Sequence, residues 1–134
     1  MRLGAVYRLK GEGYIGADGN RPPLKEKLVD AAEGDRVFDL MPGEFVVATT
    51  MEKLNLPGEK FVIEDGRDPA YLMAELSPRG SLQKCGIAFS AMRLDPGYSG
   101  EITFTLHNVG GCPFKIDLGI RIANLILSSV EARI

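Results

Sequence analysis

Runs of Val, Ile, Phe and Thr alternating with polar residues recur along most of this chain, and that period of two predicts half-buried β-strands. The runs cover Arg36 to Leu40, Glu44 to Thr49, Lys60 to Glu64, Tyr71 to Leu76, Gly86 to Ala91, Glu101 to His107, Pro113 to Asp117 and Arg121 to Leu127. Met41-Pro42-Gly43, Leu56-Pro57-Gly58, Asp95-Pro96-Gly97 and Val109-Gly110-Gly111 punctuate them with turn chemistry. About eight short strands between tight turns predict an all-β fold of the barrel or jelly-roll kind. One stretch has another period. Leu24, Leu28, Val29 and Ala32 recur at helical spacing behind Pro22-Pro23, which predicts at most one short helix, peripheral, over Leu24 to Glu33 with Gly34 as its C-cap. Gly11 to Arg21 holds four glycines and little apolar content, so it reads as a surface loop.

Composition narrows the setting. A length of 134 residues with 45% hydrophobic and 25% charged side chains fits one core. The apolar stretch Ile120 to Leu127 is broken by Arg121 and Asn124 and falls far short of the ~20 residues that span a bilayer, so no membrane association is expected. Met1-Arg2-Leu3 runs into Gly4 without an apolar segment behind a basic start, which makes the cytoplasm the expected compartment. Sixteen basic against eighteen acidic residues leave a net charge of -2, which argues against binding a nucleic-acid polymer. Any phosphate must be held locally. Cys85 and Cys112 are too few for a disulfide framework, lack paired metal-site spacing and are expected to be buried thiols. With His107 the single histidine, chemistry must rest on carboxylates, hydroxyls and water.

Two segments carry candidate chemistry. Ser77 to Ile87 places Arg79, Gly80, Ser81 and Lys84 in one turn after a strand. Such a turn is an anion cradle, with a guanidinium fork, a point charge and a glycine that lets backbone N–H groups approach, or else a solvated turn with an incidental basic pair. Arg93 to Ile102 fixes Asp95 and Tyr98 three residues apart across a Pro-Gly bend. There Asp95 either orients or deprotonates a water while Tyr98 packs on a flat ring, or Asp95 caps the bend and Tyr98 belongs to the core.

In order and spacing these segments resemble the family of trimeric dUTP diphosphatases and dCTP deaminases. Leu40 to Phe45 with Thr49 resembles the family's strand after its first motif, and Pro78 to Ile87 its phosphate-binding motif. Leu94 to Ile102 followed by Leu106-His107-Asn108 resembles the motif with the catalytic aspartate and the aromatic; Gly119 to Asn124 resembles the Gly-x-Arg-Ile-Ala-Gln strand. Met1 to Gly4 is similar to a segment near the start of deaminases. The resemblance implies a distorted β jelly roll, a β-clip dUTPase-like barrel forming a single domain over residues 1–134, assembled as a homotrimer with sites at subunit boundaries. Carried over by position, Arg79, Gly80, Ser81, Lys84 and Asn124 would hold a deoxynucleoside triphosphate. Asp95 would be the catalytic base, Tyr98 would pack under the deoxyribose, and Mg²⁺ would be held through the phosphates rather than by protein ligands.

Departures from the family pattern set the expected activity. Deaminases keep a glutamate as proton shuttle where this chain has Thr105, and a hydroxyl does no carboxylate's work near neutral pH. Arg-Gly-Ser replaces Arg-Ser-Ser or Arg-Ser-Gly, and the link from Gly86 to Asp95, which forms the hairpin that reads the base, is shorter than usual. The Gly-rich segment that closes over the phosphates in diphosphatases has no counterpart up to Ile134, and whether a tail supplied by another protein completes the site is left open by the sequence. The expectation is therefore a dUTP diphosphatase, converting dUTP to dUMP and pyrophosphate with Mg²⁺. The alternative is a non-catalytic trimer that binds a nucleotide or a protein, with dCTP deamination third.

Overall fold

The alternating pattern is realised as strand through most of residues 1–131, which the computed structural model describes. In chain order the strands are β1 (Leu3–Lys10), β2 (Tyr14–Gly16), β3 (Gly19–Arg21), β4 (Leu24–Asp30), β5 (Val37–Leu40), β6 (Phe45–Asn55), β7 (Tyr71–Pro78), β8 (Ile87–Ala91), β9 (Ser99–Asn108), β10 (Phe114–Asp117) and β11 (Ala123–Val130). The fold is all-β and every strand pairing is antiparallel. The main sheet has the order β4-β1-β6-β9-β8, and the pairs β5–β10, β7–β11 and β2–β3 form three small sheets.

β9 shows why the main sheet forms. Ile102, Phe104, Leu106 and Asn108 point inward and are buried, while Glu101, Thr103, Thr105 and His107 alternate outward. Phe104, Leu3, Leu40, Ile102, Leu106 and Ile122 are the largest fully buried apolar side chains, each contributing roughly 1.5–3 kcal/mol by leaving water. β6 and β9 stay in register from Phe45↔His107 to Thr49↔Thr103, then resume at Lys53↔Glu101 with two extra residues on β6. The Thr50 hydroxyl repairs that break. It accepts the Ile102 N–H at 3.0 Å and donates to the Glu52 carbonyl at 2.8 Å, so the buried backbone keeps its partners.

Several expectations need correction. Leu24 to Glu33 is not a helix: Leu24–Asp30 is strand β4, paired with β1, and a 3₁₀ turn covers Ala31–Glu33. Leu24, Leu28 and Ala32 fit a period of two as well as one of four, and pairing with β1 decides between them. Gly34 does cap the turn, left-handed at φ 90°, its N–H bonded to the Ala31 carbonyl. The short helix lies elsewhere, as α1 (Gly80–Lys84). Gly11 to Arg21 is exposed as expected but pairs as the β2–β3 hairpin. Lys60 to Glu64 forms only an isolated bridge between Phe61 and Ala70. Both cysteines are exposed, since Cys85 ends α1 and Cys112 sits in the loop before β10. β1 had no expectation attached to it. No helix among the described residues is long and apolar enough to cross a membrane.

Candidate functional site

Arg79 ends the extended run of β7 and opens α1, with its own backbone still extended at φ -68° and ψ 142°. Its N–H donates to the Ile122 carbonyl at 3.1 Å and its Nη1 to the Arg121 carbonyl at 2.9 Å, which pins it to the turn before β11. Leu82 anchors α1 in the core. Between α1, β10 and that turn lies a cleft of about 380 Å³. Its floor is apolar, from Leu82, Phe114, Ile116, Ile120 and Ile122, and Ser81 and Cys85 also line it. Arg79, Arg121 and Lys115 face it with Asp117 as the single lining carboxylate, an excess of positive charge suited to an anion. Gly80 and Lys84 are exposed on α1 beside the cleft without lining it, and a Cβ at Gly80 would meet nothing within 4 Å. Asn124, exposed opposite Ser77, is not among the lining residues.

The second segment forms a different cleft. Leu94 exchanges two backbone hydrogen bonds with Ala74, Gly97 donates to the Pro57 carbonyl, and Tyr98 donates its N–H to the Asp95 carbonyl and accepts from Leu56. The bend is therefore closed by backbone groups. No hydrogen bond or ion pair among the described residues engages the exposed Asp95 carboxylate, so it does not cap the bend. Tyr98 is half-buried against the core and its hydroxyl donates to the Glu101 carbonyl, so it has one face in the core and an edge toward the cleft. Asp95 and Tyr98 line a hollow of about 520 Å³ with Met92, Arg93 and Thr103. Within one chain, then, Arg79 and Ser81 share one cleft, and Asp95 and Tyr98 another.

Two features tie the segments to the scaffold. Gly86, between α1 and β8, has φ 79°, and a Cβ there would lie 2.9 Å from the Gly110 Cα; only glycine fits this crossing. Asn108 is wholly buried, with Nδ2 donating to the Leu40 and Cys112 carbonyls at 2.9 Å each and Oδ1 accepting from Gly110 at 3.1 Å. Neither Asn108 nor the lining role of Lys115 and Arg121 was expected. Arg121 had a visible signal, being the arginine of the Gly-x-Arg-Ile strand, whereas the sequence offers none for Lys115. Thr105, on the outward face of β9, is half-buried, and its hydroxyl donates to the Ser90 carbonyl at 3.4 Å. Among the described residues no three His, Cys, Asp or Glu side chains come together as a metal cage.

Comparison with known proteins bears on the activity. A family model described as dCTP deaminase-like matches residues 1–130. A curated protein of Dictyoglomus thermophilum named dCTP deaminase, dUMP-forming is 32% identical over 130 residues, covering 93% of this chain and 60% of that protein. Proteins of the same name from Persephonella marina and Aquifex aeolicus are 30% and 31% identical, covering 98% of this chain and 67% and 64% of their own lengths. The chain thus spans about 60% of the length of the first of these relatives. These relatives overturn the expectation of a dUTP diphosphatase hydrolase with deamination less favoured. That expectation gave one position, Thr105, more weight than a likeness running through 130 residues. With the family model matching residues 1–130 and relatives at 30–32% identity running through nearly all of it, the chain belongs to the dCTP deaminase-like family.

Proposed function

We propose that this chain binds deoxycytidine triphosphate and replaces its 4-amino group with oxygen, in the sense of the name its relatives carry, dCTP deaminase, dUMP-forming. The balance is dCTP and two waters going to dUMP, ammonia and pyrophosphate. The observation that carries the proposal is the free Asp95 carboxylate beside Tyr98: the bend needs nothing from it, and a carboxylate so placed can take a proton from an attacking water. Tyr98 offers a flat surface to the sugar. Arg79 and Ser81, with Gly80, Lys84 and Asn124 around them, would hold the triphosphate in the cation-rich cleft.

Because the two clefts are separate within one chain, the proposal includes a homotrimer in which Arg79 and Ser81 of one copy complete the Asp95 site of another. Three cations and one carboxylate around the anion cleft leave a bare dication no cage there, so Mg²⁺ fits as a companion of the phosphates, where it would neutralise their charge. The cytoplasm is the proposed compartment. Incubating the chain with dCTP and Mg²⁺ while following ammonia and dUMP tests the reading. Release of both supports it; nucleotide binding without ammonia would leave a binding member of the family, and no binding of dCTP would end the proposal.

A further inference from the structure

Phe114, Lys115, Ile116 and Asp117, the whole of β10, line the cation-rich cleft. Successive side chains of a strand alternate between its faces, so the cleft meets β10 along an edge and not on one face. That edge is open, because β10 pairs with β5 alone. Lys115 is exposed there, with Asp39 directly across the ladder and Asp117 two residues along the same face. Opposed side chains of an antiparallel pair start about 5 Å apart, near enough for Lys115 and Asp39 to close an ion pair. They do not close one. Among the described residues the Lys115 ammonium has no ion-pair or hydrogen-bond partner, so its charge is uncommitted and faces the cleft.

We infer that Lys115 is a phosphate-holding residue: its unpaired ammonium meets from the β10 side the polyphosphate that Arg79 and Ser81 meet from α1. The inference rests on the proposed placing of a nucleoside triphosphate in this cleft, and it adds a ligand that lies outside the segment carrying Arg79 and Ser81. Arg79 brings only part of its guanidinium. One nitrogen is committed to the Arg121 carbonyl, so the fork turns its remaining donors to an anion. A triphosphate carries several negative charges along its length, and cations on two sides of the chain neutralise more of them than a cluster at one end. Asp117, the single lining carboxylate, repels the same charges from the wall that Lys115 occupies. Substitutions at these two residues of β10 therefore have opposite signs.

The test reads occupancy of the cleft, not turnover, through Cys85, an exposed thiol on its lining. In a Cys112→Ser chain Cys85 is the single thiol, and inorganic triphosphate with Mg²⁺ should slow its alkylation by iodoacetamide, followed by intact mass. Lys115→Gln keeps the length and removes the charge; it should raise the half-protecting concentration about tenfold, whereas Lys115→Arg should hold it within about twofold. Asp117→Asn should lower it about two- to threefold, the size expected for one charge at roughly 8 Å in water. Protection by dCTP should respond to Lys115→Gln in the same way, and dCMP should protect at least about tenfold less well than dCTP. An unchanged half-protecting concentration in Lys115→Gln, weaker protection in Asp117→Asn, equal protection by dCMP, or a parent chain that neither polyphosphate protects overturns the inference. Lys115-dependent protection without ammonia release from dCTP would sustain it while ending the proposed deamination. Ammonia release with protection indifferent to Lys115 would do the reverse.

Discussion

The two clefts use charged side chains in opposite ways. At the first, Arg79 serves the scaffold as well as any ligand, because its guanidinium is bonded to the Arg121 carbonyl and its N–H to Ile122. At the second, backbone hydrogen bonds to Pro57, Leu56 and Ala74 hold the bend, and Asp95 is left with its carboxylate in solvent. A side chain recruited by the fold cannot be altered without moving its surroundings. A side chain released by the fold can be, and chemistry can then be separated from stability.

Asn108 gives the sharpest contrast. It fixes the loop that leads to Phe114, a wall of the first cleft, and contributes no hydrogen bond to the Asp95 bend. Asn108→Ala should cost about 3–5 kcal/mol in denaturant unfolding, since two carbonyls and one N–H lose their partner in the core. A cost under about 1 kcal/mol would mean that the loop holds itself. Asp95→Asn should do the opposite: an unchanged melting temperature, with turnover of dCTP reduced at least about a hundredfold. Equal turnover in the two proteins would remove Asp95 from the chemistry. Arg79→Ala should show both kinds of effect, weakening triphosphate binding by ~1.5–3 kcal/mol and lowering stability by about 1 kcal/mol through the lost bond to Arg121. If binding falls with no change in stability, the two clefts differ less than the hydrogen bonds indicate.

The smallest effect expected lies at Asp30, which lines neither of these clefts. The Lys27 ammonium and the Ala32 N–H hold its carboxyl below the usual carboxylate range. A folded value below the unfolded one, about 3.9, means that the contribution is present above that pH and is lost as pH falls through the folded value. Asp30→Asn keeps an acceptor for Ala32, so it should flatten the acid limb of the melting curve and change stability at pH 7 by less than about 1 kcal/mol. An acid limb of undiminished slope would assign it to other carboxylates.

What was legible in the sequence follows from what each signal depends on. The alternation in β9 and the Pro-Gly bend at Asp95 are local, and both stand where the residues put them. β4 was misread because Leu24 and Leu28 satisfy two periods, and the choice belongs to a partner strand 14 to 25 residues away in register. β1 escaped notice because Leu3-Gly4-Ala5-Val6 is short and uniformly apolar, with a glycine inside it. The cation-lined cleft was legible by halves. Arg79 and Ser81 announce themselves in a motif, whereas Lys115, Asp117 and Arg121 arrive through β10 and the turn before β11, whose position is set by tertiary packing.

The β2–β3 hairpin bears on how the protein can be handled. Residues Gly11 to Pro22 are all exposed, its two strands pair only with each other, and its turn at Ala17-Asp18 touches no part of the main sheet's ladder. That turn is a natural splice point: a peptide epitope or a small fluorescent reporter inserted between Ala17 and Asp18 would ride outside the main sheet without disturbing Leu3 to Val6, so the protein can be captured or followed without touching either cleft.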